Sequence, residues 1–359
     1  MKTLPIKSGQ GNYQVDFFDV IDDLVSTVGG SPISAIVIDE NVADLYREVL
    51  LPLVGKYPVL KISATEDEKT LDGLEKILAF FQEYNLTRNS IVLAIGGGII
   101  QDAVTFSTHV YYRGIRWMYV PTTLLSMGDS CIGAKCGINF KAYKNQLGVF
   151  HSPAHVFICS QFTGTLSDRD LRSGYGEMLK LILTGSGELF DQYISAFNNG
   201  FPLLGEANRF IFESLNIKKK VIEIDEYELD YRRILNYGHT LGHALESLTK
   251  YEIPHGLGVA WGVDIANFLG WHYGITREAD FCRIHGFILE HFRFHLSAPI
   301  ISSQLVDMTR RDKKVVQGKV NLIFMRMPGD LVIVPVDYDE KLYGLVDLYL
   351  KEYDVVYWD

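Results

Sequence analysis

The sequence predicts an α/β protein in two parts, strands alternating with helices over residues 1–165 and then a mostly α-helical part over 166–359. Three observations carry that reading. A chain of 359 residues is too long for one typical core and suits two. Short apolar runs alternate with amphipathic stretches as far as about residue 125, the pattern of an open, mainly parallel sheet. From about residue 165 the periodicity turns helical, and nine of the ten histidines fall after residue 150.

The elements follow in order. AIVID reads as a strand closing at Asp39, with Glu40 and Asn41 next; ADLYREVLLPLV has helical spacing, and VLKIS is a second β-prone run. LDGLEKILAFFQEY is an amphipathic helix with Leu71, Leu74, Ile77, Leu78 and Phe81 on one side. NSIVLAIGGGIIQD is an apolar strand running into three glycines, and IRWMYVP is another, closed by Pro121 before Thr122 and Thr123. Beyond them DLRSGYGEMLKLILTG, GELFDQYISAFN, EANRFIFESLNIKKKVIEI and GLGVAWGVDIANFLGWHYG all prefer helix. KVNLIFMRM and DLVIVPV predict a late β-hairpin.

Composition narrows the function classes. Hydrophobic residues make up 47% and charged residues 22%, ordinary for a soluble globular enzyme. A formal charge of -10, with no basic run of note, argues against nucleic acid as a partner. No apolar run approaches a membrane span, and MKTLPIKSGQG lacks the apolar core of a signal peptide. Cysteines 131, 136, 159 and 282 show no Cys-x-x-Cys spacing and read as free thiols. The expectation is a cytoplasmic protein with no membrane partner.

Three constellations carry chemistry. Gly96, Gly97 and Gly98 after a strand form the kind of turn that lets backbone approach a diphosphate, with Asp102 four residues on. A tight strand-to-helix turn needs glycine anyway, but Asp39, Asn41, Thr122 and Thr123 end strands on what should be the same sheet edge. The first part therefore reads as a Rossmann-like nucleotide-binding domain. In NYGHTLGHALE, His239 and His243 lie one turn apart on one helical face, and His255 follows a Pro-bearing loop. Glu177, in GYGEMLK, adds a helical carboxylate one turn from Lys180. A divalent ion takes such a set, though the spacing leaves open which members ligate and which acts as base. Lys135, Lys144, Lys180, Lys218, Arg232 and Lys314 could converge on an anion, with Asn145 and Asn236 as neutral donors; the plain alternative is that many are solvated. The cleft between the two domains is the expected active site.

Several blocks match one known pattern: LAIGGGIIQDAVTF, YYRGIRWMYVPTTLL, GDSCIGAKCGINFKAYKNQLG, GYGEMLK and LNYGHTLGHALE with PHG after it. In their order and spacing the chain resembles the 3-dehydroquinate synthase family of sugar phosphate cyclases over nearly its whole length. The resemblance implies metal ligands Glu177, His239 and His255, with His243 moving a proton near the substrate. It implies that NAD+ is held by Asp39, Asn41, Glu66, Lys69, Gly97, Gly98, Asp102, Thr122, Thr123, Leu125, Asp129, Lys144, Thr165 and Leu166. Substrate contacts would come from Asp129, Lys135, Lys144, Asn145, Lys180, Lys218, Arg232, Asn236 and Lys314, with Lys313 as the other reading of the last position. Arg113 would reach across a homodimer.

The chemistry that the resemblance implies is a carbon-oxygen lyase reaction that also closes a ring. NAD+ takes a hydride from the substrate, phosphate leaves, the hydride returns, and an intramolecular aldol step follows. No NAD+ is consumed, and one Zn2+ or Co2+ assists. The main expectation is conversion of 3-deoxy-D-arabino-heptulosonate 7-phosphate to 3-dehydroquinate and phosphate, a step of the shikimate pathway of aromatic amino acid biosynthesis. Lys218 and Arg232, fourteen residues apart, match the family's grip on the substrate carboxylate. Departures from the family wording at Gln101, Met127-Gly128, Ala134 and Phe140-Lys141-Ala142-Tyr143 keep two alternatives open. These are an amino-dehydroquinate synthase and a valiolone-type cyclase using sedoheptulose 7-phosphate. An iron-type alcohol dehydrogenase is the reading from a different class, and it leaves the cationic residues without a task.

Overall fold

The computed structural model describes the chain except residues 1, 142, 199, 311–314, 317, 354–355 and 358–359. Two compact units emerge, one of Met1–Ser167 with Lys219–Tyr227, the other of Asp168–Lys218 with Glu228–Asp359.

The first unit is built on a seven-stranded sheet. Its strands are β1 (Lys2–Ile6), β2 (Tyr13–Phe18), β3 (Ala35–Asp39), β4 (Val59–Ile62), β5 (Ile91–Gly96), β6 (Arg116–Pro121) and β9 (His155–Cys159). A short hairpin, β7 (Ile138–Phe140) with β8 (Tyr143–Leu147), stands apart from it. The sheet order is β1-β2-β9-β6-β5-β3-β4, parallel throughout except for the antiparallel β1–β2 hairpin. All six residues of β5 are buried, as are Ala35 to Ile38 of β3, which is why these strands read as unbroken apolar runs rather than alternating ones. The chain leaves β3 toward β4 on one side and resumes at β5 on the other. That reversal of strand order puts a crevice outside the carboxyl ends of β3 and β5, where Asp39 and the glycines lie.

The helices of this unit are α1 (Ile21–Gly29), α2 (Glu40–Leu45), α3 (Arg47–Val54), α4 (Leu71–Glu83) and α5 (Gly98–Val110). Residues 219–227 join it from far along the chain because two carboxylates hold the turn at residues 7–11. Glu223 accepts from the Lys7 amide at 2.8 Å, and Glu226 takes the Gly9 amide at 2.8 Å and the Ser8 hydroxyl.

The second unit is mostly helical: α6 (Asp168–Gly185), α7 (Gly187–Ala196), α8 (Leu204–Ile222, entering the first unit at Lys219), α9 (His239–Leu248), α10 (His255–His272), α11 (Glu278–His291), α12 (Ser302–Thr309) and α13 (Glu340–Glu352). The expected late hairpin is present as Lys319–Met327 paired antiparallel with Asp330–Asp337. Helix α10 is the axis of the unit, buried without interruption from Gly256 to Gly270 and packed against α6, α9, α11, α13 and the first hairpin strand.

Glycines let α10 approach its neighbours closely. A Cβ on Gly256 would lie 1.7 Å from the Ser173 carbonyl oxygen, and one on Gly176 would lie 2.1 Å from that of Gly256. On the other side, a Cβ on Gly262 would lie 1.9 Å from the Gly238 oxygen, and one on Gly242 would lie 2.7 Å from the Gly258 oxygen. Backbone meets backbone along both seams, which no side chain larger than hydrogen permits.

Candidate active site

Each seam delivers a polar side chain from the residue beside its glycine. Gly176 precedes Glu177, Gly238 precedes His239, Gly242 precedes His243, and His255 precedes Gly256. The ring nitrogens of His239, His243 and His255 come within 4.8 Å of one another. Glu177 lies beside them, with Oε1 3.1 Å from His255 Nε2 and 3.6 Å from His239 Nε2. Glu177 is buried and His243 is exposed, so the cluster has a closed side and an open one. A tight turn through Lys250 and Tyr251, both at positive φ, brings His255 back to the helix that bears His239.

The far nitrogens of His239 and His255 are bound. His239 Nδ1 lies 3.2 Å from the Tyr237 carbonyl, and His255 Nδ1 lies 2.9 Å from Glu246 Oε1. A ring held this way keeps Nε2 directed at Glu177. Burial opposes a charge on His255, but Glu246 and Glu177 outweigh it and push the imidazole up to about 10. Buried Lys180 sits 2.9 Å from Glu177 Oε2, balancing part of the charge there.

The remaining described substrate candidates of this unit lie on α8 and on the turn before α9. Lys218, on α8, and Arg232, in the turn Tyr231–Asn236, are both buried, and that turn packs against α6. The Asn236 amide donates to Glu228 Oε1 at 2.6 Å. Lys313 and Lys314 lie outside the described residues.

In the first unit, Asp39 caps α2 by accepting from the Asn41 amide at 2.9 Å, and burial raises its carboxyl. The three glycines of the turn are not equivalent. A Cβ on Gly96 would meet Ile100 at 2.5 Å and one on Gly97 would meet Thr123 at 2.8 Å, whereas a Cβ on Gly98 would have nothing within 4 Å. Packing accounts for the first two. Gly98, at the first turn of α5, borders open space beside helix amides, which suits an approaching diphosphate. Thr122 donates its amide to the Gly96 carbonyl at 3.0 Å, and the Thr123 hydroxyl meets Ser126 at 2.8 Å.

Asp102, Lys69, Asn145, Glu66 and Lys144 form one network. Lys69 Nζ lies 2.6 Å from Asp102 Oδ2 and donates to Asn145 Oδ1 at 2.8 Å; Lys144 Nζ lies 3.6 Å from Glu66 Oε1. Burial pushes the Asp102 carboxyl up against the pull of Lys69. Burial also opposes charge on Glu66, but the Asn139 amide, Lys69 and Lys144 prevail and hold its carboxyl below the usual range. Asn139 is the organiser that motif reading did not single out. It donates to Glu66 Oε1 at 2.8 Å, accepts from the Asn145 amide at 3.0 Å, and its own amide reaches the Lys69 carbonyl at 2.9 Å.

The other expected residues are dispersed. Leu125 and Asp129 belong to the turn around Ser126–Ser130, which Gln101 braces by donating to the Ser130 carbonyl at 2.7 Å and accepting from its hydroxyl at 2.6 Å. That bridge gives the unusual Gln101 a structural task. Lys135 is exposed beside a bridge to Phe150, Thr165 pairs with the Tyr46 hydroxyl at 3.0 Å, and the Leu166 amide donates to Thr163. Arg113 is exposed in a turn where Tyr112, Arg113 and Gly114 all have positive φ.

Comparison with known proteins agrees with these features. Residues 59–173 match the 3-dehydroquinate synthase N-terminal family and residues 174–315 the 3-dehydroquinate synthase C-terminal family. The 3-dehydroquinate synthase of Thermoanaerobacter pseudethanolicus is 34% identical over 92% of this chain and 94% of its own length. That of Clostridium tetani is 38% identical over 68% of this chain and 66% of its own. Among solved structures, the 2-epi-5-epi-valiolone synthase of Streptomyces hygroscopicus, with NAD+ and Zn2+ bound, superposes with a TM-score of 0.86 at 25% identity, covering 97% of this chain and 99% of that one. A 2-deoxy-scyllo-inosose synthase shares the fold, with a TM-score of 0.85 at 21% identity over 98% of this chain and 100% of that one.

Proposed function

The chain belongs to the 3-dehydroquinate synthase family of sugar phosphate cyclases, and from that premise we propose a phosphate-eliminating cyclase acting on a seven-carbon ketose phosphate with NAD+ and one divalent cation. The observation that carries it is the convergence of Glu177 with three histidines at the glycine seams. One carboxylate with two or three imidazoles suits Zn2+ or Co2+. In this reading Glu177, His239 and His255 hold the cation, and exposed His243 is left to move a proton at the open side. The open space beside Gly98, with Asp39 on the neighbouring strand end, fits NAD+.

When bound, NAD+ supplies a reversible hydride acceptor and the cation polarises a substrate hydroxyl. The protein's own part is orientation. Lys180 steadies Glu177, the Tyr237 carbonyl and Glu246 fix the ring directions of His239 and His255, and Lys69 holds Asp102 in place. A homodimer, with Arg113 offered to the neighbouring subunit, belongs to the same proposal. Among the described residues, no helix is long and apolar enough to cross a membrane.

On substrate, the likeness to the valiolone synthase favours a neutral ketose, sedoheptulose 7-phosphate, in keeping with the altered wording at Ala134 and Phe140–Tyr143. A second reading, the carboxylated 3-deoxy-D-arabino-heptulosonate 7-phosphate, is favoured by the burial of Lys218 and Arg232 and by the curated relatives. Offering each phosphate ester to the purified protein separately, with products identified by NMR, decides between them. A carbocycle and one equivalent of phosphate, without net NADH, is the expected result. Net NADH from a simple alcohol with no phosphate released would overturn the cyclase reading.

A further inference from the structure

Helix α10 carries only two carboxylate or carboxamide side chains in its buried stretch, Asp264 and Asn267. Asp264 has evident partners: His285 Nδ1 at 2.8 Å and the Tyr349 hydroxyl at 2.5 Å. Asn267 is different. Its Oδ1 accepts the hydroxyl of Tyr237, while its Nδ2 is buried without a hydrogen-bond partner among the described residues. An unmet amide in an apolar core costs stability, and a leucine of similar volume would spare it. The residue therefore serves the one bond it does make.

That bond leads to the candidate metal cluster. Tyr237 is wholly buried, and its carbonyl oxygen is the group that meets His239 Nδ1. Between them Gly238 turns the chain at φ +78, where a Cβ would lie 2.5 Å from the Val259 oxygen and 2.8 Å from the Val263 nitrogen, both on α10. So the segment entering α9 is fixed to α10 twice, by close backbone contact at Gly238 and by the Tyr237 hydroxyl on Asn267. We propose that Asn267 and Tyr237 form a positioning latch for His239, holding the carbonyl that binds Nδ1 so that Nε2 stays turned toward Glu177. The proposal rests on His239 being a metal ligand, as read above.

Tyr237→Phe removes the hydroxyl and keeps the ring; Asn267→Leu removes the acceptor and keeps the volume. Co2+ affinity of each, measured against a competing chelator on protein shown to be folded by its thermal transition, is expected to fall about tenfold. The visible Co2+ bands should shift, and the double variant should bind no more weakly than the weaker single one. Should Asn267→Leu fail to fold, Tyr237→Phe alone carries the test. Folded variants with parental affinity and parental Co2+ bands would overturn the latch. His239→Ala separates the two layers of the argument. If it loses Co2+ while the latch variants keep it, the latch alone is wrong; if it binds Co2+ as the parent does, the ligand assignment fails as well.

Discussion

Glycine does opposite work at two places, the helix seams of one unit and the start of α5 in the other. In the helical unit, Cβ atoms on Gly176, Gly256 and Gly262 would each lie about 2 Å from a backbone oxygen, so these glycines are consumed by helix contact. In the sheet unit, Gly98 has nothing within 4 Å of where its Cβ would be, and what it leaves is room. The first set builds a rigid frame that gathers four side chains on three helices. The second leaves a gap at a helix start that a ligand can enter. Runs of glycine look alike in a sequence, and only their surroundings reveal which service they render.

The sharpest way to break this contrast is to add a methyl group to each kind. Gly262→Ala should cost about 3 kcal/mol or more, or prevent folding, because backbone cannot retreat on both sides of the seam; denaturant unfolding measures it. Next in size, His255→Ala should leave the fold intact and weaken divalent-metal binding about a hundredfold or more, with turnover lost in proportion. Bound metal per protein after dialysis reports it, and full occupancy would contradict the ligand assignment.

Gly98→Ala should do the reverse of Gly262→Ala. Stability should stay within about 1 kcal/mol of the parent, since alanine is welcome in a helix, while NAD+ affinity drops about tenfold as the methyl fills the gap. Calorimetric titration and a thermal melt together check both halves. A destabilised Gly98→Ala with parental NAD+ affinity would erase the distinction.

A pH dependence belongs to the same cluster. His255 is raised from 6.5 to about 10 by Glu246 and Glu177, against the opposing effect of burial, so the metal-free protein holds it protonated at neutrality. Its contribution to metal-free stability is therefore fully present below pH 6.5 and lost as pH rises through about 10. Metal must displace that proton, so affinity should rise about tenfold per pH unit between pH 7 and 9. Titration calorimetry in buffers of different ionisation enthalpy would show one proton released. Metal binding without proton release would mean that the imidazole is already neutral.

Much of this was legible in the sequence where the signal is local. The i, i+4 spacing of His239 and His243 and the glycines beside each histidine announced the cluster, and the structure brings Glu177 to it. The strand-end residues Asp39, Gly96 and Thr122 were likewise readable, because parallel strands deliver their carboxyl ends to one edge. What could not be read depends on contacts between distant segments. Nothing in the sequence around residue 218 reveals that Lys219–Tyr227 joins the sheet unit, because α8 runs across that boundary to Ile222, and only beyond its end do Glu223 and Glu226 bind amides over two hundred residues away. Asn139 looks like any turn asparagine until Glu66, Lys69 and Asn145 are seen around it. Asn267 reads as a lone polar residue in an apolar helix until Tyr237 is found against it.

The central claim is that the glycine seams of α6, α9 and α10 assemble one divalent-metal centre. Anomalous diffraction from crystals of the Co2+-loaded protein tests it most directly. One peak within about 2.0–2.2 Å of Glu177, His239 and His255 is the result predicted; a peak bound elsewhere, or none at this cluster in protein that carries Co2+, would contradict it.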